Sequence, residues 1–327
     1  MSGDAPIGGY FGLSLGRAAQ PWPWFDAAQG FQSARAALAA LFLAHRATAV
    51  WVPHFVCGAV RDALAHAGTP VRGYALDAQR GVPSDLVLAP GEWLLCVDYF
   101  GLGGAACDAA IARHGADRIV VDASQALLHA PRPGVATVYS PRKFCGVPDG
   151  GWLVNAKGVA PTIAADERAS TERGRSLLSR SAGLVADGYA QFQQAEASLS
   201  DCTPAAMSML TRTLFEAIDV AAMRERRIAN YARLAGKLPG LLVPTPDAGA
   251  VPLCCPVASP QAPRLRIALA ERGIFTPAYW PDADIPDDDP NGLALRHGTL
   301  YLPCDQRYDI ADMDRIAHTL RCLEETA

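Results

Sequence analysis

The stretch VATVYSPRKFCGVPDGGWLVN, residues 135–155, decides how the chain folds. Positions 135–139 are β-branched and aromatic, the composition of a buried strand. Ser140-Pro141-Arg142-Lys143 breaks that run. Val147-Pro148-Asp149-Gly150-Gly151 carries turn residues, and Trp152-Leu153-Val154 resumes an apolar strand. Lys143 therefore falls in a loop between two core strands. The chain has three lysines, Lys143, Lys157 and Lys237, among 29 basic residues, so chemistry that needs a lysine amine has few candidates. Lys157 reads as a solvated turn residue. Lys237 reads as the end of a helix, where a cation complements the dipole.

Upstream, the pattern alternates. SARAALAALFLAH, residues 33–45, predicts a helix with Ser33 as its N-cap. Strands are expected over 49–52, 71–75, 93–98 and 118–122, and helices over 58–67 and 105–114. The strands are apolar on both faces, the mark of a mainly parallel sheet covered by helices. Residues 1–32, rich in Gly, Pro and aromatics such as Trp22, Trp24 and Phe25, predict an irregular segment lying on that body. Downstream, residues 160–235 read as helical, with the arginines of MRERRIANYARL on a solvated or subunit-contacting face. Short elements return after 240, with strands expected over 241–243, 254–257 and 300–302 and helices over 263–272 and 309–324. DADIPDDDPNG, residues 282–292, reads as a solvated acidic loop rather than a metal site. The expected organisation is a large α/β domain with its helical connection, residues 1–235, and a smaller C-terminal α+β domain, residues 236–327.

Composition narrows the function. A net charge of −4 gives no basic surplus for nucleic acid or an anionic membrane. No apolar run reaches the length of a spanning helix, and the first residues lack the charged start and apolar core of a signal peptide. The nine cysteines form no CxxC, which predicts free, mostly buried thiols and a cytoplasmic protein without structural zinc.

Ligands of open α/β sheets bind outside the carboxyl ends of the strands. Phe55, Tyr99, Asp122 and Ser140 fall at such ends, and the helix start at Ser33 is a natural phosphate site. A lysine amine forms a Schiff base with an aldehyde. Pyridoxal phosphate requires such a lysine, an acid for its ring nitrogen and a phosphate pocket. Lys143, Asp122 and the Ser33 helix end supply all three. Gln125 is placed to bond the phenolic oxygen, and Ser140 the phosphate.

At these residues the chain resembles the DegT/DnrJ/EryC1/StrS aminotransferases. The resembling segments are Ile7-Gly8-Gly9-Tyr10-Phe11, Ser33-Ala34-Arg35-Ala36-Ala37-Leu38, Val52-Pro53-His54-Phe55-Val56-Cys57, Asp122-Ala123-Ser124-Gln125-Ala126, and Ser140-Pro141-Arg142-Lys143 followed by Gly150-Gly151. The resemblance implies the fold-type-I architecture of pyridoxal-phosphate-dependent transferases, similar to aspartate aminotransferase. It implies transfer of an amino group from an amino acid, glutamate in the family, to a carbonyl acceptor. That acceptor is a keto-sugar nucleotide of polysaccharide or antibiotic-sugar synthesis. It also implies a homodimer with shared active sites, and a phosphate loop at Ser33, Ala34 and Arg35. Where the family places a ring-stacking aromatic this chain has Cys57, which leaves Phe55 or Tyr99 for that place. Residues 160–200 hold no clear match to the segment that reaches the partner's phosphate. The family's histidine after Tyr279-Trp280-Pro281 is missing. A cofactor-binding regulatory protein of the same fold is the alternative reading.

Overall fold

The computed structural model of the chain describes residues 13, 15–18, 22, 27–243 and 245–325. The segment 7–11, together with Trp24 and Phe25, lies outside the described residues.

Within them, ten elements come first: β1 (Gln29–Phe31), α1 (Ala34–His45), β2 (Ala49–Pro53), α2 (Gly58–His66), β3 (Val71–Tyr74), β4 (Glu92–Val97), α3 (Gly104–His114), β5 (Ile119–Asp122), β6 (Ala136–Tyr139) and β7 (Gly151–Val154). Their strands make one seven-stranded sheet, in the order β1-β7-β6-β5-β4-β2-β3. The five strands from β6 to β3 in that order are parallel, and β7 runs antiparallel to both its neighbours. The reversal has a local cause. Only the 3-10 turn Pro141–Lys143 lies between β6 and β7, and a parallel return needs a full crossover. Strands β5, β6 and β7 are buried at every position, as sheets covered on both faces require. Helix α1 packs on β6 and β7, and its run of Ala and Leu allows the close approach.

The helices α4 (Glu167–Ser181), α5 (Val185–Ala197), α6 (Met209–Glu216) and α7 (Val220–Ala235) follow. Then come β8 (Cys254–Ala258), α8 (Ala262–Ala270), α9 (Pro290–His297), β9 (Thr299–Pro303) and α10 (Ile310–Glu325). Strands β8 and β9 pair antiparallel, with α7, α8 and α10 packed around them.

Four expectations need correction. The N-terminal segment is not wholly irregular, because β1 adds an edge strand to β7. No strand forms over 241–243; Leu241 makes a single bridge to Val257, and Pro256 takes the Leu242 N–H. The acidic stretch is not all loop, because Asp289 is fully buried and caps α9 through Gly292 N at 2.8 Å. Arg227 is not on a solvated face: it is 1% exposed, in the core between α7 and the small sheet.

Candidate active site

Parallel strands deliver their carboxyl ends to one edge of a sheet. Read along the strand order, this edge carries Ser140 after β6, Asp122 at the end of β5, Asp98 and Tyr99 after β4, and His54 and Phe55 after β2. The antiparallel β7 presents its start there, Gly150 and Gly151, and β1 its end, followed by Ser33. Ser33 and Gly150 are bridged through their backbones. Six segments distant in sequence thus stand in a row with neighbours about 4.8 Å apart.

The row is tightest at Gly151. A Cβ there would meet the Ser33 carbonyl carbon at 2.1 Å and the Ala34 nitrogen at 2.3 Å. Only glycine lets β7 touch the start of α1. Ser33 is buried, and its Oγ accepts from Ala36 N at 3.1 Å, so it caps α1 as its residue type predicts. The positive end of the α1 dipole therefore faces this edge. Ala34 is partly buried in the first turn of α1. The Arg35 side chain is engaged elsewhere, donating to Ser200 O at 2.6 Å and pairing with Asp62 at 3.5 Å.

Asp122 is buried, and its Oδ1 accepts from Ser124 N at 2.9 Å in a tight turn, not a helix cap. Gln125 is 1% exposed. Its Oε1 accepts from Phe100 N at 3.0 Å, while its Nε2 has no partner among the described residues. A buried amide left half-used is costly, and a ligand or a water at this edge would satisfy it. The Ser140 hydroxyl is buried and caps nothing. Lys143 is exposed, and its amine makes neither a hydrogen bond nor an ion pair among the described residues. A lysine, a buried carboxylate, an amide donor and a helix N-terminus on one edge fit the donor set that pyridoxal phosphate needs.

Phe55 and Tyr99 are both buried and stack on each other at 5.9 Å. The Tyr99 hydroxyl donates to Phe55 O at 2.5 Å. Burial first, then the Asp122 and Asp289 carboxylates, push its phenol well up, so it stays a donor. Both rings also contact Trp280, at 4.7 and 6.0 Å. His54 is satisfied by Asp289 at 3.1 Å.

The sequence reading missed the groups that hold the lysine turn. Phe144, next to Lys143, lies 4.5 Å from the Arg227 guanidinium and gives its carbonyl to Gln306 Nε2 at 2.7 Å. Arg227 in turn donates to Gln306 Oε1 and to the carbonyls of Pro252 and Leu253. Asp149 is buried and accepts from the Thr211 hydroxyl at 2.6 Å and from Ser208 N. Arg142 pairs with Glu196, and burial pulls its guanidinium down to about 10. The turn is thus anchored on both sides of Lys143, while the lysine amine has no hydrogen-bond or ion-pair partner among the described residues. A signal for Arg227 existed: it falls on the stripe Val220, Met223, Arg227, Asn230, Tyr231, Leu234 that α7 buries.

No protein-family model matches the chain, and no curated protein does. Solved structures do. The chain is similar to DesI, solved with its TDP-sugar product, at a TM-score of 0.62 and 22% identity, over 90% of this chain and 80% of that one. It is similar to a DegT DnrJ EryC1 StrS aminotransferase from Brucella abortus at a TM-score of 0.60 and 18% identity, covering 90% and 85%. It is also similar to the PLP form of the putative sugar aminotransferase Spr1654 from Streptococcus pneumoniae, at a TM-score of 0.63 and 15% identity, covering 91% and 87%. The chain shares the α/β fold of these proteins, central sheet included.

Proposed function

We propose that the chain is a pyridoxal-phosphate-dependent aminotransferase that moves an amino group from an amino acid to the carbonyl of a keto-sugar nucleotide. The observation that carries the reading is the sheet edge itself. It aligns an unpaired lysine amine, the buried Asp122 carboxylate, the half-used amide of Gln125 and the start of α1. The shared fold and the DesI product complex support the substrate class.

Pyridoxal phosphate, when bound, supplies an aldehyde for the lysine and a ring that takes up the electron pair released at the substrate carbon. The residues of the chain do the rest. Lys143 Nζ would hold the cofactor through its aldehyde, and the same amine would remove and return the proton at the substrate carbon. Asp122 would keep a proton on the ring nitrogen, and Gln125 Nε2 would donate to the phenolic oxygen. The first turn of α1, at Ser33, Ala34 and Arg35, and the Ser140 hydroxyl bind the phosphate. Residues 1–235 hold this set, and residues 236–327 form the smaller unit that brings Tyr279 and Trp280 against it.

The reading includes a second copy of the chain. Leu178, Leu184, Val185, Tyr189 and Phe192 on and between α4 and α5 are exposed apolar side chains, the kind that partner surfaces cover. The nine free cysteines fit a reducing, cytoplasmic setting.

The test is chemical. Purified protein given pyridoxal phosphate and reduced with borohydride carries the cofactor on the peptide containing Lys143, and glutamate with a panel of nucleotide keto-sugars gives amination. Lys143→Ala loses both the adduct and at least about a thousandfold in rate. An adduct that persists in Lys143→Ala refutes the assignment. An adduct on Lys143 with no spectral response to any amino donor favours a binding protein instead.

A further inference from the structure

Trp280 is the aromatic residue that faces the lysine. It follows α8 in sequence, 7% exposed, and reaches across to Phe55 and Tyr99 beside the main sheet. The Lys143 amine stands over its indole face, 5.9 Å from the ring centroid. Phe55 and Tyr99 are buried against Trp280 and each other, and among the described residues the Lys143 amine stands over neither of their rings.

The backbone holds Trp280 in this place at a cost. Its φ is +48°, a left-handed conformation that a bulky residue adopts only when its surroundings force it. The forcing contacts are visible. Arg296 on α9 donates to Pro281 O at 2.5 Å and to Ala283 O at 2.7 Å, and Ala283 N bonds back to Trp280 O at 3.0 Å. Tyr279 is wedged against Phe100 and Tyr301. The turn is clamped on both sides of the indole, and strain maintained in this way concentrates at ligand sites.

We infer that Trp280, from the C-terminal part of the chain, is the stacking platform for the aromatic ring carried on Lys143, in place of Phe55 or Tyr99. The amine that would carry the ring lies 5.9 Å from the indole centroid, and the few bonds linking a Schiff-base nitrogen to its ring let that ring come within the range of about 4.5–7 Å over which offset aromatic pairs attract. The assignment rests on the functional reading above, since the ring is that of pyridoxal phosphate. It predicts that cofactor affinity depends on a residue outside the main sheet.

The full-length protein, Trp280→Phe and Trp280→Leu are titrated with pyridoxal phosphate, with binding read by ultrafiltration and tryptophan emission. Borohydride reduction locates the adduct. The expected result is an adduct on Lys143 in all three. The Leu variant binds roughly tenfold more weakly, and the Phe variant stays within about threefold of the parent. Binding quenches the parent's emission, and the Phe variant loses most of that quench. Equal affinity of the Leu variant and the parent overturns the inference and leaves the functional reading standing. Absence of any adduct on Lys143 in the parent overturns both. If circular dichroism shows the Leu variant unfolded, the Phe variant decides: an unchanged quench overturns the inference, and a lost quench upholds it.

Discussion

Gln125 shows how much one side chain carries. Its Oε1 satisfies the N–H of Phe100, whose backbone stands at φ +61°, and its Nε2 has no partner among the described residues. Gln125→Leu removes both roles. The Phe100 N–H loses its acceptor, at a cost of about 1–3 kcal/mol for a buried unpaired donor. Urea unfolding of the cofactor-free variant is expected to show that loss, and cofactor titration a weaker affinity besides. Asp122, Gln125, Ser140 and Lys143 could be nominated from sequence because each follows a recognisable strand end or turn. Trp280 could not be placed, because a Tyr-Trp-Pro run reads equally as packing. Its position beside Lys143 exists only once α9 and Arg296 clamp its turn.

At the scale of elements, the junction of β7 and α1 is the feature most exposed to a single change. Gly151→Ala drives a methyl group into the Ser33 and Ala34 backbone. Backbone cannot swing aside as a side chain can, so the sheet edge must open. The expected loss is about 3 kcal/mol or more, seen in thermal or urea unfolding. Weakened phosphate binding follows, because the start of α1 moves with it. The glycine pair was legible as a turn. The contact that makes the second glycine obligatory was not, since it joins positions 33 and 151 across the fold. Strand identities were legible because the interior parallel strands need apolar residues on both faces, while the edge strand β3 is partly exposed. The failed strand over 241–243 has the same apolar composition but only one bridged position, to β8. Composition reports burial there, not pairing.

For the whole molecule, burial of titratable groups sets a stability window. The thiols of Cys96, Cys145 and Cys304 are pushed up to about 12, with burial as the leading cause. In the unfolded chain a thiol ionises near about 8.5. A raised folded value means that the stabilisation is complete below the unfolded value and is lost as pH climbs towards the folded one. Arg142 acts in the opposite sense, because its buried cation costs stability that is relieved above about 10. Three thiols outweigh one guanidinium. Unfolding free energy is therefore expected to fall from about pH 8.5 upward, with labelling of the buried Cys96, Cys145 and Cys304 appearing only as the protein unfolds, while the exposed Cys322 labels in the folded state. Urea titrations at pH 8, 9.5 and 10.5 check this. The burial of these thiols was readable from apolar runs such as WLLCVD.

By itself the sequence determined the α/β alternation, the position of Lys143 between two strands, and the acid, amide and helix cap able to serve it. These are local matters of strand composition, turn residues and capping chemistry. The tertiary structure decided which of them meet. Strand order ranges Ser33, Ser140, Asp122 and Tyr99 along one edge. Arg227, buried through helical packing, braces the turn that carries the lysine, and a tryptophan some 140 positions away in sequence comes to face its amine. Such meetings depend on long-range packing, which neighbouring residues do not encode.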